Sequence, residues 1–248
     1  MLCELTCPGR IVRVTELPTA STHLLSVAQV VDVGPRMRRI SVTGEALANF
    51  VALPGQDVVV HVSDGHGGGV SRRYTIRNLN TETRLLDLDV VMHGHGPGAA
   101  WAASVVTGDD VEVFGPRGKV RLADARWQLF IGDESAIPAI AEMIGALPAG
   151  TTAVAVIEVT DVDDEQPIIA AGPVDVRWLH RFETPAGEAE LLDRAVASIE
   201  IPDVDRHAYL FGESRVVRRL RDDLGGRGLQ PHEISAKGYW NLGRGAGH

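Results

Sequence analysis

Apolar residues in the first half of the chain recur in short β-branched runs that glycine, proline or aspartate interrupts. Such runs, about four to eight residues long with turn residues between them, are typical of antiparallel strands. Only residues 45–50 and 97–106 have helical composition there. The near-regular spacing of many short strands favours a closed barrel. The predicted strands cover residues 29–33, 38–43, 57–62, 74–78, 85–92 and 111–114.

The pattern changes after Gly118, where apolar strands alternate with segments of helical composition. Residues 152–159 form a continuous apolar run, as expected of a strand buried on both faces. Strand–helix alternation of this kind predicts a parallel sheet covered by helices. The predicted strands are 128–133, 152–159, 174–179 and 208–213, and the predicted helices are 136–147, 187–198 and 216–224.

We therefore predict two domains, an antiparallel β-barrel over residues 1–122 and a parallel-sheet α/β domain over residues 123–248. The boundary is expected near residues 121–126. Flavin reductases combine these two folds in this order, with the flavin on the barrel and a nicotinamide at the strand ends of the α/β domain. Since this is an analogy between folds, the motifs must support the functional assignment.

Composition narrows the class of protein. The 248 residues carry a formal net charge of −9, which argues against a nucleic-acid binder because neutralising phosphates needs a basic face. No apolar run approaches the roughly 20 residues that cross a bilayer. The first residues lack the basic-then-apolar pattern of a secretory signal. We expect a cytoplasmic protein, monomeric by default, without membrane insertion.

Two cysteines, Cys3 and Cys7, lie four positions apart in an N-terminal segment that we expect to fray. They could bind a metal ion only with further ligands from elsewhere, and the chain has no second cysteine pair. We therefore predict no metal site, and the role of the two cysteines stays open.

The most informative stretch is residues 71–77, which reads Arg-x-Tyr-Thr inside a predicted strand. Side chains alternate across a strand, so Arg72 and Tyr74 point to one face and Thr75 to the other. The three supply what a flavin needs: a cation for the pyrophosphate, an aromatic face for the isoalloxazine and a hydroxyl for a ring nitrogen or carbonyl. Taken alone, the same residues also fit an ordinary strand.

A glycine-rich segment, residues 93–101, follows a strand and opens a predicted helix. Glycines before a helix let the backbone amides approach an anion, which makes His93, Gly94 and Gly96 candidates for a phosphate cradle. An ordinary turn with Pro97 at the helix start is the main alternative. A metal held by His93 and His95 is a weaker one.

The first strand-to-helix turn of the α/β half, residues 132–140, lacks the Gly-x-Gly-x-x-Gly phosphate fingerprint. Its position still matters, because ligands of open α/β sheets bind at the carboxyl ends of strands. The carboxylates of Asp133 and Glu134, with Ser135, could face a flavin or cap the helix, and capping is the simpler interpretation.

A second such turn, residues 212–219, places Arg215, Arg218 and Arg219 in the first helical turns, where a cation gains nothing from the helix dipole. These cations suggest an anionic ligand, such as an adenine-ribose phosphate. A solvated basic helix face is equally compatible with the sequence. Near the end of the chain, adjacent aromatics that include Trp240 could cover a ring system or pack the C-terminal segment against the barrel.

Together these motifs resemble the siderophore-interacting protein family of flavin-dependent ferric-siderophore reductases. No single motif is decisive, but their order and spacing are highly specific, and they extend over nearly the whole chain after residue 30. The matching segments are residues 36–40, 72–77, 93–102, 108–109, 115–118, 132–140, 212–213 and 238–240.

The resemblance implies an FAD-binding barrel followed by a domain that binds NADPH or NADH. It implies that Arg72 pairs with the FAD pyrophosphate, that Tyr74 stacks on the isoalloxazine and that Thr75 hydrogen-bonds near its N5. The other implied cofactor-binding residues are His93, Gly94, Gly96, Asp133, Glu134, Ser135 and Trp240, and those implied for the nicotinamide are Glu213, Arg215 and Arg218.

In the reaction that the resemblance implies, a nicotinamide reduces the flavin and the reduced flavin passes single electrons to the ferric iron of a siderophore, which releases ferrous iron. The iron belongs to the substrate and needs no protein ligand. Basic residues at the mouth of the site should attract the anionic chelate. The candidates are Arg77, Arg117, Lys119, Lys237 and Arg244.

One position departs from the family pattern, because Asn241 stands where an arginine commonly follows the Gly-Tyr-Trp segment, with Arg244 beyond it. The chain given also stops at His248, soon after this motif. Two alternatives remain: a flavoprotein that accepts electrons from a ferredoxin-type donor, and a siderophore-binding protein with little turnover. The identity of the siderophore and the choice between NADPH and NADH stay open.

Overall fold

Two sheets of different kinds follow each other in the computed structural model. The structure describes residues 19–63, 68–92, 96–188 and 190–243, together with two N-terminal strands that pair with each other, β1 (Cys3–Cys7) and β2 (Arg10–Val14). Cys3 and Cys7 thus begin and end a strand, contrary to the expected frayed segment. Their side chains lie outside the described residues.

The first half forms a closed antiparallel barrel of six strands in the order β3-β4-β7-β6-β5-β8, as predicted. Helix α1 (Pro97–Ser104) packs against the barrel core through Ala102, and residues 45–50, predicted to be helical, form a short 3₁₀ helix (Glu45–Asn49). The strands are β3 (Ser21–Gly34), β4 (Met37–Thr43), β5 (Asp57–Ser63), β6 (Gly69–Asn80), β7 (Leu85–Val91) and β8 (Asp110–Arg117).

The register between β5 and β6 decides which side chains enter the barrel. Val58 and Val60 belong to the buried core and lie opposite Tyr74 and Arg72, so these two residues point to the inner face. Thr75 lies opposite Asp57 on the outer face, which packs against the second domain. The alternation predicted for the Arg-x-Tyr-Thr segment is therefore confirmed.

The second half is a parallel sheet of five strands in the order β11-β10-β9-β12-β13, which confirms the predicted α/β fold. Apolar side chains cover both of its faces, against α2 and the barrel on one side and against α3 and α4 on the other. The elements are β9 (Trp127–Asp133), α2 (Ile137–Gly145), β10 (Thr152–Val159), β11 (Val174–His180), α3 (Leu191–Ala197), β12 (Arg206–Glu213), α4 (Ser214–Gly226) and β13 (Ile234–Trp240).

Two elements differ from the prediction. The segment with the terminal aromatics is an edge strand, β13, because β12 offers it a parallel partner along Ala208–Gly212. The helix predicted over residues 187–198 is only seven residues long, since Gly187 adopts a positive φ of 79° and the chain turns before α3 begins. No helix within the described residues is long and apolar enough to cross a membrane.

Candidate functional site

The inner face of β6 carries a polar group without a partner. The Tyr74 ring stacks on Trp101 of α1, with ring centres 5.6 Å apart and an interplanar angle of 28°. Its hydroxyl is buried and has no hydrogen-bond partner among the described residues. Burial raises the pKa of Tyr74 well above its usual range. Because an unpaired buried hydroxyl is costly, this group suggests a position where a ligand supplies the missing hydrogen bond.

The first turn of α1 lies directly against this tyrosine. A Cβ added to Gly98 would fall 2.7 Å from the Tyr74 hydroxyl and 3.5 Å from Cγ of Arg72, so only glycine permits this approach. No side chain caps the helix at Gly96. Arg72 donates to the carbonyl of Ser71 at 2.9 Å and has no carboxylate partner among the described residues.

A guanidinium, uncapped helix amides and an unpaired hydroxyl thus converge at one end of the barrel. Groups of this kind are those that bind an anion with an adjacent polar contact, which is the chemistry of a dinucleotide pyrophosphate. The residues present therefore fit FAD. The predicted contacts at His93 and Gly94 lie outside the described residues.

On the outer face of β6, Thr75 meets the end of β13. Thr75 is buried, and the buried hydroxyl of Tyr239 lies beside its side chain. The Tyr239 ring stacks on Phe211 with centres 5.4 Å apart. Burial raises the pKa of Tyr239 well above its usual range. The terminal aromatics therefore pack on both the sheet and the barrel, at the strand that carries the predicted flavin contacts.

Three of the predicted chelate-binding cations lie near one another where β13 meets the barrel, a boundary called the seam below. Lys237 of β13 forms an ion pair with the buried carboxylate of Asp57. Arg117 lies opposite Asp57 in the barrel register, with its guanidinium 5.7 Å from the centre of the Phe114 ring. Lys119 is two residues further and exposed. Neither Arg117 nor Lys119 has a carboxylate partner among the described residues.

Arg77 is placed differently from these three. Its guanidinium lies 3.7 Å from Asp89 of β7 and 3.7 Å from Glu142 of α2, so it bridges the barrel and the second domain. Burial raises the pKa of Glu142 to about 7, against the opposing effect of the Arg77 charge. Arg77 is thus engaged between two carboxylates, and its predicted contact with substrate stays a prediction. Arg244 lies outside the described residues.

At the carboxyl edge of the parallel sheet, Asp133 accepts four hydrogen bonds. The donors are the backbone and hydroxyl of Ser135 (2.9 and 2.5 Å), the backbone of Glu213 (3.0 Å) and the indole Nε1 of Trp240 (2.8 Å). Burial, with the nearby charge of Glu134, raises its pKa to about 6 although these hydrogen bonds oppose the shift. The carboxylate joins β9, β12 and β13, and any contact of Asp133 with a cofactor stays a prediction.

Glu213 has a similar structural task. Its side chain caps α4 by accepting from the backbone amides of Arg215 (2.5 Å) and Val216 (2.9 Å), and it also accepts from Leu242 at 3.1 Å. Arg215 and Arg218 are exposed and have no carboxylate partner among the described residues, which leaves their charges available to an anion. Arg219, in contrast, is paired with Asp193.

Sequence reasoning missed two residues at this edge. Arg181 holds Glu134 with two hydrogen bonds of 2.8 and 2.5 Å and also donates to Thr160 at 2.9 Å. Glu158 is buried, and one of its oxygens has no partner among the described residues. Burial raises its pKa to about 7, opposed by the Arg181 charge. A single carboxylate inside the apolar run 152–159 was the available signal.

Comparisons with known proteins agree with this architecture. The pattern of the siderophore-interacting protein family matches residues 125–243, and that of the siderophore-interacting FAD-binding domain matches residues 58–120. A siderophore utilization protein from T. fusca has a crystal structure that superposes with a TM-score of 0.85 at 30% identity, covering 93% of this chain and 97% of that one.

Two curated relatives have named activities. Ferric vibriobactin reductase ViuB of Vibrio cholerae is 31% identical over 180 residues, which are 71% of this chain. The NADPH-dependent ferric-chelate reductase of Escherichia coli is 28% identical over 176 residues, 69% of this chain. The aligned part makes up 66% of the length of each relative. By the matched patterns and the T. fusca likeness, the chain belongs to the siderophore-interacting protein family.

Proposed function

We propose that this protein is an FAD-dependent reductase of ferric siderophores that takes its electrons from NADPH or NADH. The observation that carries the proposal is the unpaired end of the barrel, where Arg72, the uncapped start of α1 and the buried Tyr74 hydroxyl meet. The family to which the chain belongs, and the reductase activities named for two of its relatives, support the same assignment.

In this proposal the barrel residues hold FAD. Arg72 and the first amides of α1 bind the pyrophosphate, because a fixed cation and unpaired N–H groups stabilise an anion together. Tyr74, whose ring stacks on Trp101, offers its unpaired hydroxyl, and Thr75, on the opposite face of β6 beside Tyr239, is proposed to hydrogen-bond near the flavin N5. When bound, FAD supplies the step that the side chains cannot, the conversion of a two-electron hydride donor into single electrons for iron.

The carboxyl edge of the sheet is the proposed site of the nicotinamide dinucleotide, as in other open α/β sheets. Arg215 and Arg218 provide unpaired charge for a phosphate group. Asp133, Glu134 and Glu213 fix the turns that border this edge through the hydrogen bonds described above. The dependence of the E. coli relative on NADPH supports a nicotinamide donor but leaves the choice between the two cofactors to experiment.

The ferric chelate is proposed to approach at the seam between the domains. Arg117 and Lys119 provide positive charge there in a protein whose net charge is −9. A local basic site of this kind attracts an anionic chelate despite the overall charge. Ferrous iron binds hard oxygen ligands less tightly than ferric iron does, so electron transfer itself weakens the chelate and the protein needs no iron ligands of its own.

The visible spectrum of the purified protein, with FAD added if needed, tests the proposal. We expect bands near roughly 370 and 450 nm, which are a property of oxidised flavin. Under anaerobic conditions, NADPH or NADH should bleach these bands. A ferric catecholate chelate should then restore them while a ferrous-ion indicator develops colour. A flavin that neither nucleotide bleaches indicates a ferredoxin-type donor, and a protein that takes up no FAD contradicts the proposal.

A further inference from the structure

We propose that Asp57 and Lys237 form a tether that holds the aromatic end of β13 against the flavin-binding strand. This makes both of them positioning residues and assigns Lys237 a role other than chelate binding. The inference rests on the proposed function, since it concerns the placement of Tyr239 and Trp240 relative to FAD.

The pair links elements that are 180 positions apart in sequence. Asp57 opens β5 of the barrel, and its side chain is only 4% exposed. Lys237 lies in β13, and its side chain is 23% exposed. The second oxygen of the Asp57 carboxylate is also buried and has no hydrogen-bond partner among the described residues. A buried carboxylate needs its cation, so the two charges hold the domains together at this point.

The tether continues into the aromatic end of β13. Lys237 and Tyr239 lie two residues apart on one face of the strand, and the ammonium lies 5.1 Å from the centre of the Tyr239 ring. The Tyr239 hydroxyl lies beside Thr75, and Thr75 is the partner of Asp57 in the barrel register. Asp57, Lys237, Tyr239 and Thr75 therefore connect the barrel to the sheet in an unbroken series, and Thr75 is one of the residues predicted to contact the flavin.

This geometry separates Lys237 from the other cations at the seam. The charge of Lys237 is neutralised by a buried partner, so it adds little field for an incoming anion. Arg117 and Lys119 keep unneutralised charges within the described residues. The Gly118 backbone between them lies close to Asp57, since a Cβ at this glycine would be 3.6 Å from the Asp57 carboxylate. The Asp57 carboxylate therefore neutralises Lys237, while Arg117 and Lys119 beside it have no carboxylate partner among the described residues.

A double-mutant cycle on the FAD-loaded protein tests the tether. The variants are Asp57→Asn, Lys237→Met and the two combined, with Lys237→Arg as the conservative replacement and Lys119→Met as a comparison for loss of chelate-binding charge. The control cycle is Asp205→Asn with Arg126→Met, an exposed ion pair at the amino end of β9, away from the site. The readouts are FAD affinity, flavin fluorescence, and kcat and KM for a ferric catecholate chelate.

We expect each tether variant to lower kcat about tenfold through misplacement of the aromatic end, with KM for the chelate changed less than about twofold. The combined variant should match the single ones instead of multiplying their effects. Flavin fluorescence should rise in all three, because aromatic side chains close to a flavin quench it, and Lys237→Arg should restore most of kcat.

Two results would overturn the tether. One is a rise in KM for Lys237→Met like that of Lys119→Met, with Asp57→Asn unaffected, since it would make Lys237 a chelate-binding residue. The other is full multiplicativity of the two variants. If the unmodified protein binds FAD and reduces the chelate but its variants give either result, only the tether proposal is disproved. Failure of the unmodified protein to bind FAD removes the proposed function itself.

Discussion

The polar groups at the barrel end and those at the carboxyl edge of the sheet differ in how far their hydrogen bonds are satisfied. At the barrel end, the Tyr74 hydroxyl is buried without a partner and Arg72 has no carboxylate among the described residues. At the carboxyl edge of the sheet, Asp133 accepts four hydrogen bonds and Glu213 accepts three. Both regions carry motifs that the family associates with cofactors, yet the Tyr74 hydroxyl lacks a partner among the described residues whereas the carboxylates of Asp133 and Glu213 are well satisfied.

Buried polar groups in folded proteins are nearly always paired, so an unpaired one indicates a missing partner. By this criterion the barrel end is the proposed ligand site, while the hydrogen bonds of Asp133 and Glu213 hold the strands and α4 of the sheet. The nicotinamide would then contact surfaces that these carboxylates shape. Substitutions at the two regions should therefore separate binding from stability.

The largest effect is expected from Asp133→Ala. Loss of the carboxylate removes the acceptor that the Glu213 amide, the Ser135 amide and the Trp240 indole share, at a cost of about 3–5 kcal/mol in the free energy of unfolding. Urea unfolding of the FAD-free protein measures it, with Asp133→Asn as the milder control. A protein of nearly unchanged stability that binds FAD much more weakly would place Asp133 in the flavin site instead.

Glu158→Gln tests a buried carboxylate at the sheet edge that has one oxygen without a partner among the described residues. Burial raises its pKa to about 7, so the folded state holds a proton that the unfolded state has already lost above about pH 4.5. The contribution of Glu158 to the free energy of unfolding is therefore fully present below about pH 4.5 and is lost as the pH rises through 7. We expect the free energy of unfolding of the variant to exceed that of the unmodified protein by about 1–2 kcal/mol at pH 8. The difference should vanish near about pH 4.5.

Urea unfolding across this pH range measures the difference, and the exposed carboxylate of Glu183 offers a control through Glu183→Gln. Equal pH profiles of stability for Glu158→Gln and the unmodified protein would show that burial does not raise the pKa of Glu158.

Tyr74→Phe should have opposite effects on stability and on binding. Removal of an unpaired buried hydroxyl should raise the free energy of unfolding of the FAD-free protein by about 0.5–1 kcal/mol. FAD affinity should fall about fivefold, because the ligand loses a hydrogen bond of about 1 kcal/mol. Thermal unfolding and FAD titration measure the two effects. A variant with unchanged FAD affinity would disprove the ligand role of this hydroxyl.

The smallest effects are expected from Arg215→Met and Arg218→Met. Both side chains are exposed, so the free energy of unfolding should change by less than about 0.5 kcal/mol. If they contact a phosphate of the dinucleotide, KM for NADPH or NADH rises a few-fold while FAD affinity is unchanged. Stopped-flow reduction of the flavin measures this, and Arg194→Met supplies an exposed arginine of α3 as control. Identical kinetics in all three variants would show that Arg215 and Arg218 do not contact the dinucleotide.

Local pattern was enough to predict most of the fold. The run 152–159 coincides with β10 because side chains on both of its faces are buried, Ile157 on one and Val156 on the other. Strand β13 was not predicted, since the alternation of apolar and polar residues covers only Ile234–Lys237 and Gly238 interrupts it. Its conformation depends on pairing with β12 and on the stacking of Tyr239 against Phe211, which are contacts between distant parts of the chain.

The site divides along the same line. The common face of Arg72 and Tyr74 follows from strand alternation, which the register confirms. The pair of Asp57 and Lys237 has no local signal, because only the folded chain brings the two together. The hydrogen bonds of Asp133 likewise come from β12 and β13, so the sequence could show the carboxylate but not its four donors.

Titration of the FAD-free protein with FAD, comparing Arg72→Met with Asp133→Asn, tests the central claim most directly. Loss of a charge-assisted contact with the pyrophosphate should weaken binding by about 1.5–3 kcal/mol, or roughly ten- to a hundredfold, in Arg72→Met. Folded Asp133→Asn should bind FAD within about threefold of the unmodified protein. The reverse order of affinities would contradict the account, because it would move the flavin site from the barrel end to the sheet edge.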